Sequence, residues 1–250
     1  MRAIFAEARR WRSTPRAAVA WLVAPPLLCA LIASIRFIDR DYLRRLSDED
    51  GLLEWIQALA FLIAAVCSAA TVWTLFGRAR KVAALLFGLF GLALVFALGE
   101  ELAWGQRLFG FETPDELARV NEKQELSLHN VTWLTDWFTL AKLAIGVYGA
   151  CGALALAWLR RRWEVAAVEL YVVPVFLSSP FLIVLGMRVL RLTLLRATVP
   201  LGYAELEELW LAVGMAAFAA HVLRRVRLDG APAVPRKGRE RTLPANYRSP

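Results

Sequence analysis

Two adjacent carboxylates, Glu100 and Glu101, close a long apolar run, and Arg107 follows them in the same motif, GEELAWGQRLFG. Further along, Glu125 precedes His129 by one helical turn's worth of residues. Carboxylates beside an imidazole can hold a divalent cation, or can take a proton from water next to an acid. Glu100, Glu101, Glu125 and His129 are therefore the candidate catalytic set, and Glu101, Glu125 and His129 the candidate ligands of a divalent metal. In that chemistry Glu101 or Glu125 is the base, His129 an acid or ligand, and Arg107 a clamp for an anionic group. Gln106, Gln124, Asn130, Glu54 and Lys142 complete a candidate substrate-binding set. No HExxH or paired ExxH motif is present, so two other readings stay open. The same residues could be satisfied structural pairs, or could serve ion or proton conduction.

Local physics sets the expected partners. A carboxylate at the C-terminal end of a helix opposes the macrodipole, so either the helix continues or a cation pairs with it. If it continues, Glu100, Trp104 and Arg107 share one face and Arg107 is the partner of Glu100. Glu101 then points about 100 degrees away, with Lys142 as its counter-ion. Thr113, Pro114 and Glu116 read as a capping box, predicting a short amphipathic helix from Pro114 to about Leu126. Carried on to His129, it would align Ala118, Glu122, Glu125 and His129. Asn130 or Thr132 would cap the next span. A long connection with its own helix is more often functional than a short one.

These residues need a scaffold, and composition names it. The chain has 250 residues, of which 58% are hydrophobic, with a mean hydropathy of +0.48. Soluble domains carry roughly 45–50%. The excess lies in six stretches: Ala17–Ile35, Leu52–Phe76, Val82–Leu98, Trp133–Leu159, Ala166–Met187 and Ala204–Leu223. A bilayer-spanning helix needs about 20 such residues, so the expected fold is an all-α, six-helix transmembrane bundle. Residues 1–228 form this one bundle, and 229–250 a disordered basic tail.

Charge orients the bundle. Arg2, Arg9, Arg10, Arg12 and Arg16 precede span one; Arg78, Arg80 and Lys81 separate spans two and three. Arg160, Arg161 and Arg162 follow span four, and Arg224, Arg225 and Arg227 follow span six. These are alternate connections, which places them and both termini in the cytoplasm of a cell with an inner membrane. The net charge of +8 is thus an orientation signal and speaks against nucleic acid. The opposite connections, 36–51, 99–131 and 188–203, are outer. The longest of them, between spans three and four, is acidic, and Asp48, Glu49, Asp50 and Glu54, with Glu205, Glu207 and Glu208, lie at that side too. Most of these acids suit helix N-termini, but Glu100 and Glu101 do not.

Other features are structural expectations. Span one, with its basic leader, is read as a retained anchor kinked at Pro25-Pro26 rather than a cleaved signal. Gly146, Gly149 and Gly152 form a close-packing stripe. Pro174 and Pro180 kink span five, as in transporter helices. Glu169 pairs with Arg161 or Arg162. Trp55, Trp104, Trp133, Trp137 and Trp210 make an outer aromatic belt. Arg188, Arg191 and Arg196 violate the inside rule, so their segment is expected in the outer interface, holding an anionic headgroup. His221 is a boundary residue at the inner side. Cys29, Cys67 and Cys151 sit inside spans as small packing residues.

The run from Gly99 to Pro114, followed by Asn121 to Asn130 (NEKQELSLHN), resembles an uncharacterised family of bacterial multi-pass membrane proteins, and Glu49–Trp55 resembles a second block of it. The resemblance draws attention to Glu100, Glu101, Gln106, Arg107, Gln124, Glu125, His129 and Asn130, and implies no particular reaction. The twin glutamates are also similar to those of CAAX-protease-like membrane proteins, but Arg107 stands six residues after Glu101 where that motif has four, and its further histidines are missing. The expected function is binding, hydrolysis or group transfer of a lipid or lipid-linked substrate at an outer polar site. The alternative is a non-enzymatic assembly partner or small transporter. Membrane lipids are the expected partners, with a second membrane protein or a homo-oligomer beside them.

Overall fold

In hydrocarbon a backbone can satisfy its polar groups only within the segment, which leaves apolar runs of this length no option but helix. The computed structural model describes residues 1–47, 51–121, 123–159, 166–193 and 203–229. It is all-helical apart from loops and one isolated antiparallel bridge, Asn121 to Val131, among the described residues. Six helical stretches are long and apolar enough to cross a membrane, which fits a multi-pass membrane protein.

An amphipathic helix, α1 (Arg2–Arg10), comes first and buries Ala8 and the adjoining Trp11 against the bundle. Thr14 then caps α2 (Pro15–Ile38) by accepting from Ala17 N at 3.1 Å, with Pro15 at N1 where its missing N–H costs nothing. α2 continues through Pro25 and Pro26. A short helix, α3 (Arg40–Ser47), leads to α4 (Leu52–Phe76), whose N-cap is Gly51 without a side-chain bond. The expected cap residues Asp48, Glu49 and Asp50 lie outside the described residues. α5 (Lys81–Glu101) carries the twin glutamates at its end. Two single-turn helices follow, α6 (Gln106–Phe109) and α7 (Asp115–Ala118), and then α8 (Thr135–Leu159). The fifth span is broken. It begins as 3-10 turns over Ala166–Tyr171 and Val175–Leu177 and becomes α9 (Ser178–Thr193) only after Pro174. α10 (Tyr203–Asp229) ends the description.

α10 packs along α4 and α9; α4 also packs along α5, and α9 along α8, with α2 leaning on α9. The spans therefore form an arc, α5–α4–α10–α9–α8, whose two ends face one another. The α8–α9 seam is where the glycine stripe acts. A Cβ on Gly149 would stand 2.2 Å from Cγ of the buried Phe181, and one on Gly214 of α10 would stand 2.9 Å from the far edge of the same ring. Small residues on two helices thus accept one phenyl ring between them. Of the five tryptophans expected in a belt, Trp55, Trp104, Trp133 and Trp137 are exposed, and Trp210 is buried.

Basic residues gather at one end of the bundle, together with both described chain ends. Arg12 pairs with Asp229 at 3.3 Å. Glu169 pairs with Arg10 at 3.6 Å and Arg225 at 3.2 Å, rather than with Arg161 or Arg162, which lie outside the described residues. The Arg225 guanidinium also lies 4.8 Å above the Trp11 ring. His221 is packed edge-on against Trp21 and Phe176, with Nδ1 2.8 Å from the Ala217 carbonyl. The arginines expected to hold an outer headgroup turn inward instead. Arg188, buried, donates to Glu207 at 2.8 and 2.6 Å, and Arg191 lies 3.6 Å from the same carboxylate. Glu207 is fully enclosed, so the charges of Arg188 and Arg191 are met within the protein. Arg196 lies outside the described residues.

Candidate functional site

At the opposite end, the chain leaves α5 by a sharp reversal. Ala103 and Trp104 take left-handed φ values of 43° and 52°, which are strained for residues with a Cβ. The helix therefore does not continue, and the expected face of Glu100, Trp104 and Arg107 is not formed. The reversal folds Trp104 back over Gly99, where a Cβ would come within 3.0 Å of the indole. Gly105, at φ 91°, then lets the chain turn into α6.

Glu100 is the hub of the loop. Its Oε1 accepts from the Trp104 indole at 2.7 Å. Its Oε2 accepts from the backbone N–H groups of Leu128 and His129 at 2.7 and 2.8 Å, and lies 3.2 Å from His129 Nδ1. Four contacts to one buried carboxylate answer the macrodipole objection without Arg107. The aromatic rings continue the clamp: Phe138 meets His129 edge-on and stacks on Phe96, which meets Trp104.

Arg107 reaches elsewhere. It bonds to Glu54 on α4, and its other nitrogen donates to Glu125 at 3.0 Å. Burial alone would pull its pKa down, but pairing with Glu54 and Glu125 outweighs this and raises it. Both terminal nitrogens of Arg107, the expected anion clamp, are thus engaged with carboxylates of the fold itself. Gln106 is also a builder: it donates to Thr113 Oγ1 and accepts from Leu126 N, both at 2.8 Å. The hydroxyl of Thr113 donates to the carbonyl of Gln124 at 2.7 Å. Thr113 therefore does not cap a helix. The N-cap of α7 is Pro114, and α7 stops at Ala118 instead of reaching Leu126. The alignment of Ala118, Glu125 and His129 on one helix is lost with it, and Glu122 lies outside the described residues. Buried Asn121 takes over, donating to the Ser127 carbonyl at 2.6 Å and accepting from Lys123 N at 2.9 Å. Asn130 donates to Ser127 Oγ at 3.1 Å. Gln124, exposed and at φ 56°, contributes through its backbone.

Glu101 is different. Half-buried, it makes no hydrogen bond or ion pair among the described residues, and the charges it feels are those of Glu208, Lys142, Glu205 and Glu54. Lys142, its expected partner, bonds instead to Glu208 of α10. Beside this group Gln57 is fully enclosed. Its amide donates to the Glu205 backbone carbonyl at 2.9 Å, while its own Oε1 finds no hydrogen-bond donor among the described residues. Gln57 is not among the residues singled out from the sequence, and Glu208 enters there only as one of the acids near the start of span six, not as a site residue; α10 begins at Tyr203, which puts Glu208 past the first turn. The expected metal set is not assembled. Glu125 is bound to Arg107 and His129 to Glu100, and among the described residues no group of three or more His, Cys, Asp or Glu is placed to hold a metal ion.

Below the cluster lies a cavity of about 520 Å³, in the space left where α5 and α8 stand apart. Its walls include Ala93 and Ala97 of α5, Ala144 and Ile145 of α8, and Leu211 and Met215 of α10. No family model, no curated protein and no solved structure matches the chain.

Proposed function

We propose that this is an inner-membrane protein that binds a lipid or lipid-linked molecule, its apolar chain in the α5–α8–α10 cavity and its polar end among Glu101, Lys142 and Glu208. The observation that carries the reading is vertical alignment. Ala97 is one turn before Glu101, Ile145 one turn after Lys142, and Leu211 one turn after Glu208. Three helices thus wall an apolar space and each carries a charge on the same face at its head. The volume falls in the range of small-ligand sites, roughly 300–1,000 Å³.

The basic end is taken as cytoplasmic from the excess of arginine there, which puts the cluster at the periplasmic boundary. In this reading Glu54–Arg107–Glu125 and Glu100–His129 hold the loop over the site rather than meeting the ligand. Any hydrolysis or transfer would fall to Glu101, which, like the Glu205 side chain, makes no hydrogen bond or ion pair among the described residues. The test is native mass spectrometry of protein purified in mild detergent. Lipid adducts are expected on the unaltered chain and should be lost on Ala93→Phe or Ala144→Phe, whose exposed positions point a ring into the cavity. They should survive Ala69→Phe, in a separate apolar groove between α4 and α5. Equal retention in all four proteins would refute the reading.

A further inference from the structure

The polar cluster also says which kind of headgroup fits. From the enclosing elements, Glu54, Glu100, Glu101, Glu125, Glu205 and Glu208 face Arg107, Lys123 and Lys142, with His129 beside Glu100. Glu207 lies close by as well, but it is matched by Arg188 and Arg191; carboxylates still outnumber permanent cations, and Arg107 and Lys142 are already engaged. A boundary region with such an excess repels an anionic headgroup and attracts a cationic one. No group of three or more His, Cys, Asp or Glu is placed to hold a metal ion among the described residues. What the donors suit is a hydrogen-bonding cation that contacts separated oxygens. The enclosed Gln57 Oε1 is an independent sign of this: its amide is bonded to the Glu205 backbone carbonyl, Oε1 finds no donor among the described residues, and a buried acceptor of that kind calls for an N–H or O–H.

We infer that the occupant of the cavity is an amine-bearing lipid, its ammonium received by Glu101 and Glu205 near Gln57 and its chain descending between α5, α8 and α10. The ammonium offers three donors and one positive charge, which matches two uncommitted carboxylates and an unfilled amide oxygen. Lys142 is already held by Glu208 and so leaves Glu101 without a cationic partner. This rests on the lipid-binding reading above.

Three amphiphiles of equal chain length separate the possibilities: hexadecylamine, hexadecanol and hexadecanoate, each titrated into the purified protein at neutral pH and read by native mass spectrometry and thermal shift. Hexadecylamine should bind at least tenfold more tightly than hexadecanoate, with hexadecanol between them. The double variant Glu101→Gln, Glu205→Gln keeps side-chain size; it should bring amine and acid to within about threefold of each other and leave hexadecanol binding unchanged. Ala93→Phe should weaken all three. Hexadecanoate binding as well as hexadecylamine would overturn the headgroup inference and leave the lipid site standing. Failure of all three to bind, or indifference to Ala93→Phe, would sink both.

Discussion

Arg107→Met keeps most of the side chain's length and removes its charge, leaving the Glu54 and Glu125 carboxylates without that counter-ion. Their side chains are only 7% and 14% exposed, so water cannot replace it cheaply. Removing one partner of a buried ion pair costs about 3–5 kcal/mol; the partial exposure of Glu125 argues for the lower end. Because Arg107 ties the loop to α4, the loss should appear as opening of segment 106–130 rather than as collapse of the spans. About 3 kcal/mol corresponds to roughly a hundredfold rise in the open population, at tenfold per 1.4 kcal/mol. Arg119 and Lys123 are exposed in that segment, and tryptic cleavage there tracks the open population when reclosing is fast. Cleavage at those two bonds should therefore quicken about a hundredfold. Adding Glu54→Gln and Glu125→Gln removes the stranded charges and should bring the rate back to within about tenfold of the parent. A single variant cleaved at the parental rate, or a triple variant no slower than the single, would refute the reasoning.

Other outcomes follow from the same geometry. Gly149→Ala drives a methyl into the Phe181 ring, so thermal unfolding in detergent should show a loss of about 1–3 kcal/mol or more, where an unchanged melting temperature would contradict the packing. Arg188→Leu leaves the enclosed Glu207 with only the longer contact to Arg191 at 3.6 Å and should cost about 3 kcal/mol, whereas Arg188→Leu with Glu207→Leu should recover most of it; mixed-micelle unfolding of both separates them. A cysteine at Thr113 should react with an impermeant maleimide from outside intact spheroplasts, and one at Arg227 only after lysis. The reverse pattern would invert the orientation.

The six spans were legible because each is a run long enough to cross a bilayer, and that signal needs no partner. Span five was the least legible, since 3-10 turns over Ala166–Tyr171 and Val175–Leu177, on either side of Pro174, replace α-helix in its first part. The loop was legible as ordered but not as built. Sequence offers neighbours at one turn, and of those only Glu100 with Trp104 survives. Arg107 pairs with residues 53 and 18 positions away, a separation that no periodicity encodes. The capping-box reading failed because the Thr113 hydroxyl found Gln106 and Gln124 instead of a helix end. The outward arginines were a puzzle only while Glu207 was counted as a helix-dipole residue.

The first helix has a consequence for assembly. Glu7 of α1 accepts the Val175 N–H at 2.9 Å in the break of the fifth span, and Trp11 packs on Phe218 of α10. A segment synthesised before the first span therefore cannot reach its resting place until the fifth and sixth are inserted, which makes its docking a late, long-range step in biogenesis. It works as a latch on the finished bundle. Truncating residues 1–11 should let insertion proceed and leave the mature protein prone to clearance by quality-control proteases.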